Sequence, residues 1–154
     1  MSETDRMPAP AFEGETTQGK KSLQDYAGRK LVLYFYPKDN TSGCTLEGQN
    51  FQAAYEDFLK ADCDILGVSR ESIRSHNNFC AKQGFTFALL SDPDETVCRA
   101  YDVMKLKKMY GREYMGIERS TFVIDREGRI VKAWRKVKVP GHVAQVLECV
   151  QSLD

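Results

Sequence analysis

The chain alternates short, wholly apolar runs with longer stretches in which apolar residues recur every three or four positions. Residues 31–36 (LVLYFY) form a continuous apolar and aromatic run of strand length, the pattern of a strand buried on both faces. Residues 64–69 (DILGVS) read the same way, and 85–90 is a third strand candidate. Between the first two, Phe51, Ala54, Tyr55, Phe58 and Leu59 predict an amphipathic helix that starts behind Thr41 or Ser42 as N-cap and reaches about Lys60. A second helix is predicted over 71–84, capped by Ser69 or Arg70 and ended by Gly84. Ser91-Asp92-Pro93 predicts the start of a third, with Val97, Ala100, Tyr101 and Met104 on one face.

The remaining segments are shorter in signal. STFVID and RIVKAW, on either side of Asp125-Arg126-Glu127-Gly128, predict an antiparallel pair, and ETTQGKKSL over 15–23 a hairpin at the sheet margin. Residues 105–115 (KLKKMYGREYM) are basic without a clean period and read as a loop. The last helix is expected from about His142, with Val143, Val146, Leu147 and Val150 facing inward, and the first dozen residues as a loosely held lead-in. Strands alternating with helices, then a hairpin and a helix, imply an α/β architecture with a mixed central sheet. At 154 residues we expect a single domain.

Charge and cysteine usage narrow the function classes. With 22 basic and 22 acidic side chains, general attraction to nucleic acid or anionic membranes is absent. The charges over 105–112 and Arg135, Lys136 and Lys138 therefore read as solvated faces, and neither a nucleic-acid nor a membrane partner is expected. No run approaches the ~18 apolar residues of a membrane span, and the N-terminal segment has no apolar signal core, so a cytoplasmic protein is expected. The five cysteines at 44, 63, 80, 98 and 149 contain no C-x-x-C pair, which argues against a thioredoxin-type dithiol and a zinc site. With two histidines, His76 read as a helix-surface residue and His142 as a helix-start residue, no metal or other cofactor is expected. Cys63, Cys98 and Cys149 read as structural or incidental thiols.

Cys44 is different. It falls in the first turn of a predicted helix, directly after an apolar strand and a turn, where backbone N–H groups favour a thiolate. A thiolate alone does not reduce a peroxide: the O–O bond must be aligned and the departing oxygen stabilised as it gains negative charge. Pro37 can wall the pocket and hold the turn, and the Thr41 hydroxyl can exchange hydrogen bonds with a peroxide. A guanidinium would complete the site, but spacing alone does not locate one.

The P-x-x-x-T-x-x-C pattern of Pro37, Thr41 and Cys44 after an aromatic strand resembles the peroxidatic motif of peroxiredoxins, thiol-dependent peroxidases on a thioredoxin-like fold. The likeness continues through DILGVS, FALLSDPDETV and GIERSTFVIDREGRI and is nearest to the bacterioferritin comigratory protein, or PrxQ, group. The resemblance implies Arg119 as the guanidinium, hydroperoxide substrates, a monomer, and recycling by thioredoxin or a similar dithiol donor. Many members carry a resolving cysteine five residues after the peroxidatic one; here that position is Gln49, so that variant of the mechanism is excluded. Another branch places it on the next helix, which matches Cys80, 36 residues downstream of Cys44. Met104 stands where many relatives have Trp. The implied chemistry is oxidation of Cys44 to a sulfenic acid, then a Cys44–Cys80 disulfide, with local unravelling of both helices to let the sulfurs meet. A cysteine phosphatase would want arginine six residues beyond the cysteine, where Asn50 stands. A peroxide sensor or redox-relay module on the same fold would share every residue named here and differ only in turnover.

Overall fold

The computed structural model describes residues 6–153. In chain order the elements are β1 (Met7–Pro8), β2 (Glu13–Thr16), β3 (Gly19–Ser22), a 3-10 turn (Leu23–Tyr26), β4 (Lys30–Phe35), α1 (Ser42–Lys60), β5 (Cys63–Ser69) and α2 (Ile73–Gln83). They continue with β6 (Ala88–Ser91), α3 (Thr96–Ala100), β7 (Met104–Met109), β8 (Arg112–Ile117), β9 (Ser120–Ile124), β10 (Arg129–Trp134) and α4 (His142–Gln151). Eight strands form one mixed sheet in the order β1-β10-β9-β4-β5-β6-β2-β3, and β7 and β8 pair separately. β4, β5 and β6 are parallel, joined through α1 and α2, while β9 lies antiparallel on the other side of β4.

Strand β4 is central because every one of its six residues is buried. Its alternation divides the core in two. Leu31, Leu33 and Phe35 face a cluster that includes Phe12, Tyr101, Phe122 and the base of the β7–β8 hairpin. Val32, Tyr34 and Tyr36 face the other side, where Phe51 and Phe58 of α1, Phe79 of α2 and Val143, Val146 and Val150 of α4 pack. Each fully buried side chain of this size contributes about 1.5–3 kcal/mol, so the sheet and its three long helices are held mainly by these two layers.

The secondary structure departs from the sequence-based expectations at the lead-in, in α2, in the third helix and over 105–115, and the strand expected over 85–90 begins only at Ala88. The lead-in lies partly outside the described residues, and within them it is not loose: Met7 and Pro8 pair with β10, and Ala9 and Phe12 enter the core. Helix α2 begins later than expected, behind Ser72, whose hydroxyl accepts from the Ser75 N–H, and ends at Gly84 in a left-handed conformation as expected. The third helix is only Thr96–Ala100, with Ala100 exposed and Met104 already in a strand; the Asp92 carboxylate receives the Val97 and Cys98 N–H groups. Residues 105–115 are a hairpin rather than a loop. Only its base, Met104, Gly116 and Ile117, is buried, so no apolar alternation was needed, and the turn at Tyr110-Gly111 takes φ of 52° and 77°, the two positive values of a type I′ turn.

One glycine shapes the wall beside the active-site helix. In the register Tyr34–Gly67–Leu89, a Cβ on Gly67 would lie 2.7 Å from Leu89 Cδ2 and 2.9 Å from Tyr34 Cζ. The missing side chain leaves room for the Tyr34 ring, which stacks on Phe51 of α1 with centroids 4.6 Å apart. Gly67→Ala should therefore overpack the layer and lower stability by about 1–3 kcal/mol. Urea denaturation checks this, and an unchanged midpoint would contradict it.

Candidate active site

The turn after β4 delivers the chain into α1. Pro37 opens it half-buried, and Asn40 adopts φ 64°, a left-handed conformation that Asn tolerates better than most residues. Of the two expected candidates Thr41, not Ser42, takes the N-cap position, with extended φ and ψ, but does not cap with its side chain. Its hydroxyl instead donates to the Lys38 carbonyl at 2.8 Å, closing the turn and leaving the first N–H groups of α1 without that partner. Cys44 is the third residue of the helix and 2% exposed, so its sulfur sits at the positive end of the helix dipole.

Arg119 meets Cys44 through sheet register. Phe35 of β4 pairs with Ser120 of β9, so the residue before Ser120 lies beside the turn that follows β4. Arg119 Nη2 donates to Cys44 Sγ at 3.4 Å, and Nη1 donates to Glu47 Oε1 at 2.6 Å. Gly43 makes room for this, since a Cβ there would stand 3.1 Å from Arg119 Nη2. Glu47, one helical turn beyond Cys44, is wholly buried, and its Oε2 has no hydrogen-bond partner among the described residues. Burial pushes the Glu47 carboxyl up to about 7 despite the opposing charge and hydrogen bond of Arg119. Burial works against the Arg119 cation too, but Glu47 and Cys44 more than reverse it, so its pKa is raised.

Two further groups surround the guanidinium. His142 Nε2 and Thr121 Oγ1 lie 2.8 Å apart, and burial, with the charge of Arg119, pulls this imidazole down to about 4. Lys107, on the hairpin, is half-buried and pulled down by burial and by Arg119, with Cys44 acting in the opposite sense. A thiol sulfur, a helix N-terminus and a paired guanidinium thus converge where negative charge is best stabilised.

Comparison with known proteins gives this arrangement its family. The AhpC/TSA family pattern matches residues 6–133. The chain belongs to the AhpC/TSA family, among the peroxiredoxins of the bacterioferritin comigratory protein or PrxQ group. It is similar to peroxiredoxin Bcp of Xanthomonas campestris, 58% identical over 131 residues that cover 85% of this chain and 82% of that one. A solved bacterioferritin comigratory protein from the same species, described for its alkyl peroxide reduction activity with a trapped intermediate/ligand complex, is 53% identical with a TM-score of 0.87, covering 92% of this chain and 90% of that one. Solved structures of X. campestris peroxiredoxin Q, each 54% identical with TM-scores of 0.88 and 0.87 and the same coverage, include cysteine-to-serine mutants at two positions 36 residues apart. The fold of this peroxiredoxin is accordingly thioredoxin-like.

Cys80 is not at the Cys44 sulfur. Both are free thiols; Cys80 is half-buried on α2, with its sulfur 3.9 Å from Thr17 Oγ1, and burial pushes its pKa up. The buried Tyr34 phenol, pushed well up by burial first, also feels Glu47, Cys80 and Cys44, so it lies within electrostatic reach of both sulfurs. Among the other thiols, burial pushes Cys63 up to about 12 and raises Cys98 and Cys149 as well. Among the described residues, no helix is long and apolar enough to cross a membrane.

Sequence reasoning missed two sets of buried polar groups. Glu47 was one; its i+3 spacing from Cys44 was visible, but nothing in the pattern marks a buried carboxylate on an otherwise polar stretch. The other corrects the reading of His76 as a surface residue. His76 is 0% exposed, because α2 turns it inward against the active-site turn. Its Nδ1 is 2.7 Å from Asp39 Oδ2 and its Nε2 3.0 Å from the Leu90 carbonyl. Asp39 also accepts from Tyr36 Oη at 2.6 Å and Ser75 Oγ at 2.8 Å. Burial alone would raise its carboxyl, but the bonds from His76 and Tyr36, with the imidazole charge, hold it below the usual carboxylate range.

Glu47 makes stability depend on pH. Its carboxyl titrates at about 7 when folded against 4.5 as the ordinary value, so between these the folded chain keeps a proton that the unfolded chain has lost. Stability from this group is therefore lost as pH rises through that window and constant above it. Denaturation midpoints of wild type and Glu47→Gln from about pH 4 to 8 should show the wild type declining relative to the variant across the window. Parallel curves would contradict this assignment.

Proposed function

We propose that Cys44 is the peroxidatic cysteine and that Arg119, Thr41 and Pro37 complete the site that presents a hydroperoxide to it. The observation that carries this reading is the donation from Arg119 Nη2 to Cys44 Sγ at the N-terminus of α1. Attack by the thiolate on the nearer peroxide oxygen forms an S–O bond and breaks the O–O bond. The departing oxygen leaves as hydroxide or alkoxide and takes up a proton from solvent to become water or an alcohol, and Cys44 becomes a sulfenic acid. The guanidinium supplies fixed donors to both oxygens, Pro37 walls the turn, and the Thr41 hydroxyl oxygen keeps lone pairs to accept from the peroxide. Hydrogen peroxide and organic hydroperoxides are the substrates; the alkyl peroxide activity described for the X. campestris relative supports the second class.

In this reading Cys80 resolves the sulfenic acid into a Cys44–Cys80 disulfide, which thioredoxin or a similar dithiol then reduces. The 36-residue interval between the two mutated cysteines of the relative is the interval from Cys44 to Cys80, and supports the pairing. Five free thiols without a structural disulfide suit a reducing cytoplasm, and a monomer suffices because both cysteines lie on one chain.

Two substitutions separate the roles. Cys44→Ser should abolish peroxide consumption, whereas Cys80→Ser should permit one round of Cys44 oxidation and then stop thioredoxin-linked turnover. Peptide mass spectrometry of the peroxide-treated wild type should find the 44–80 disulfide. Sustained turnover in Cys80→Ser, or a different linkage, would overturn the pairing.

A further inference from the structure

The buried Asp39–His76 pair joins two parts of the molecule that must separate if Cys80 is to reach Cys44. Asp39 sits in the turn between β4 and α1, two residues before the Thr41 N-cap. His76 sits on α2, four residues before Cys80 and therefore one helical turn from it on the same face. Both side chains are essentially inaccessible, at 1% and 0% exposure. Ser75, also on α2, adds a second bond to the same carboxylate oxygen.

The hydrogen-bond partners assign the protonation state of His76. The Nδ1 atom faces Asp39 Oδ2, with Tyr36 Oη at 3.4 Å, and the Tyr36 proton is already given to Asp39 Oδ1. On the other side, Nε2 faces the Leu90 carbonyl. Every oxygen opposite the ring accepts, so both nitrogens carry hydrogen and His76 is an imidazolium. The ionisable groups facing it are Asp39 from the turn and Tyr36 from the end of β4, while β6 offers only a carbonyl. Cys80 follows on α2 and is itself pushed up by burial and, further, by the Asp39 charge.

The other polar tethers of this region are weaker in kind. Gln49 Nε2 donates to Gln83 Oε1 at 2.9 Å, and Gln52 exchanges bonds with Thr86, all exposed and neutral. Water can replace those bonds on opening, whereas opening the buried pair separates opposite charges in a low-dielectric interior.

We propose that Asp39 and His76 form a latch that positions α2 against the active-site turn, and that its release sets the rate at which Cys80 reaches the oxidised Cys44. This rests on the roles given above to the two cysteines. Closed, the latch keeps α2 folded against the turn and Cys80 packed toward Thr17. Open, it lets α2 unwind from its N-terminal side. The Cys80 thiolate then attacks the Cys44 sulfur, the S–S bond forms as the S–O bond breaks, and the hydroxide leaving group takes up a proton as water.

Stopped-flow kinetics after a rapid pulse of hydrogen peroxide separates the two steps, with quenched samples mapped for the 44–80 disulfide. His76→Gln keeps the Tyr36 and Ser75 bonds to Asp39, so its peroxide-dependent first step should stay within about twofold of wild type. Its disulfide step should accelerate by roughly tenfold or more, as expected for loss of a charged buried hydrogen bond. Ser75→Ala, which leaves the buried charges in place, should accelerate that step by a smaller factor. Unchanged disulfide rates in both variants, or equal loss of both steps, would overturn the latch. Absence of any 44–80 disulfide in the wild type would instead overturn the cysteine pairing on which it rests.

Discussion

The Arg119 guanidinium, held by one arm to a fully buried carboxylate and donating with the other to the Cys44 sulfur, is the interaction around which this end of the molecule is arranged. Each participant is costly alone. A buried glutamate resists ionisation, a buried arginine resists desolvation, and a helix N-terminus leaves N–H groups unsatisfied. Together they offset one another, and the remaining positive character is directed at the sulfur. The fold supplies the precision: the β4–β9 register brings position 119 beside position 44, and Gly43 gives the guanidinium its seat.

A peroxiredoxin of this kind faces two structural demands that conflict. The peroxide site needs the turn, the first turn of α1 and Arg119 fixed together, while the proposed disulfide step needs the same region to open. The two halves of the apolar layer behind Cys44 differ in how they meet this. Phe51 and Phe58 bind α1 to the sheet and to α4 through large buried surfaces. Helix α2 is shorter, with only His76 and Phe79 wholly buried, and one of those is polar. The element bearing Cys80 is thus held by a buried polar contact at His76 beside the apolar packing of Phe79, and in the proposed mechanism it is the one released.

The strands and long helices were legible in the sequence because burial on both faces of β4 and β5, and the three-to-four spacing in α1 and α4, leave no alternative pattern. Position 44, an N-cap at Thr41 or Ser42 and the end of α2 at Gly84 followed from local chemistry, and the structure selects Thr41. What was not legible depended on tertiary partners. The β7–β8 hairpin hides because beyond its buried base the residues of its strands are exposed or only half-buried. His76 read as a surface residue because its burial is decided by Asp39 and Leu90, one 37 residues earlier and the other 14 later. Glu47 carried no mark in the pattern because the residue it pairs with, Arg119, lies 72 residues away.

Arg119 was placed by resemblance alone, and the geometry now gives it a physical reason to be there. The most direct test is the rate at which peroxide oxidises the reduced protein in a single turnover, compared between wild type and Arg119→Met. The variant keeps the length of the buried stem but removes the donors and the charge. The account predicts a rate lower by about a hundredfold or more, the usual cost of losing a donor aimed at developing negative charge. A folded Arg119→Met protein that consumes peroxide as fast as the wild type would contradict it.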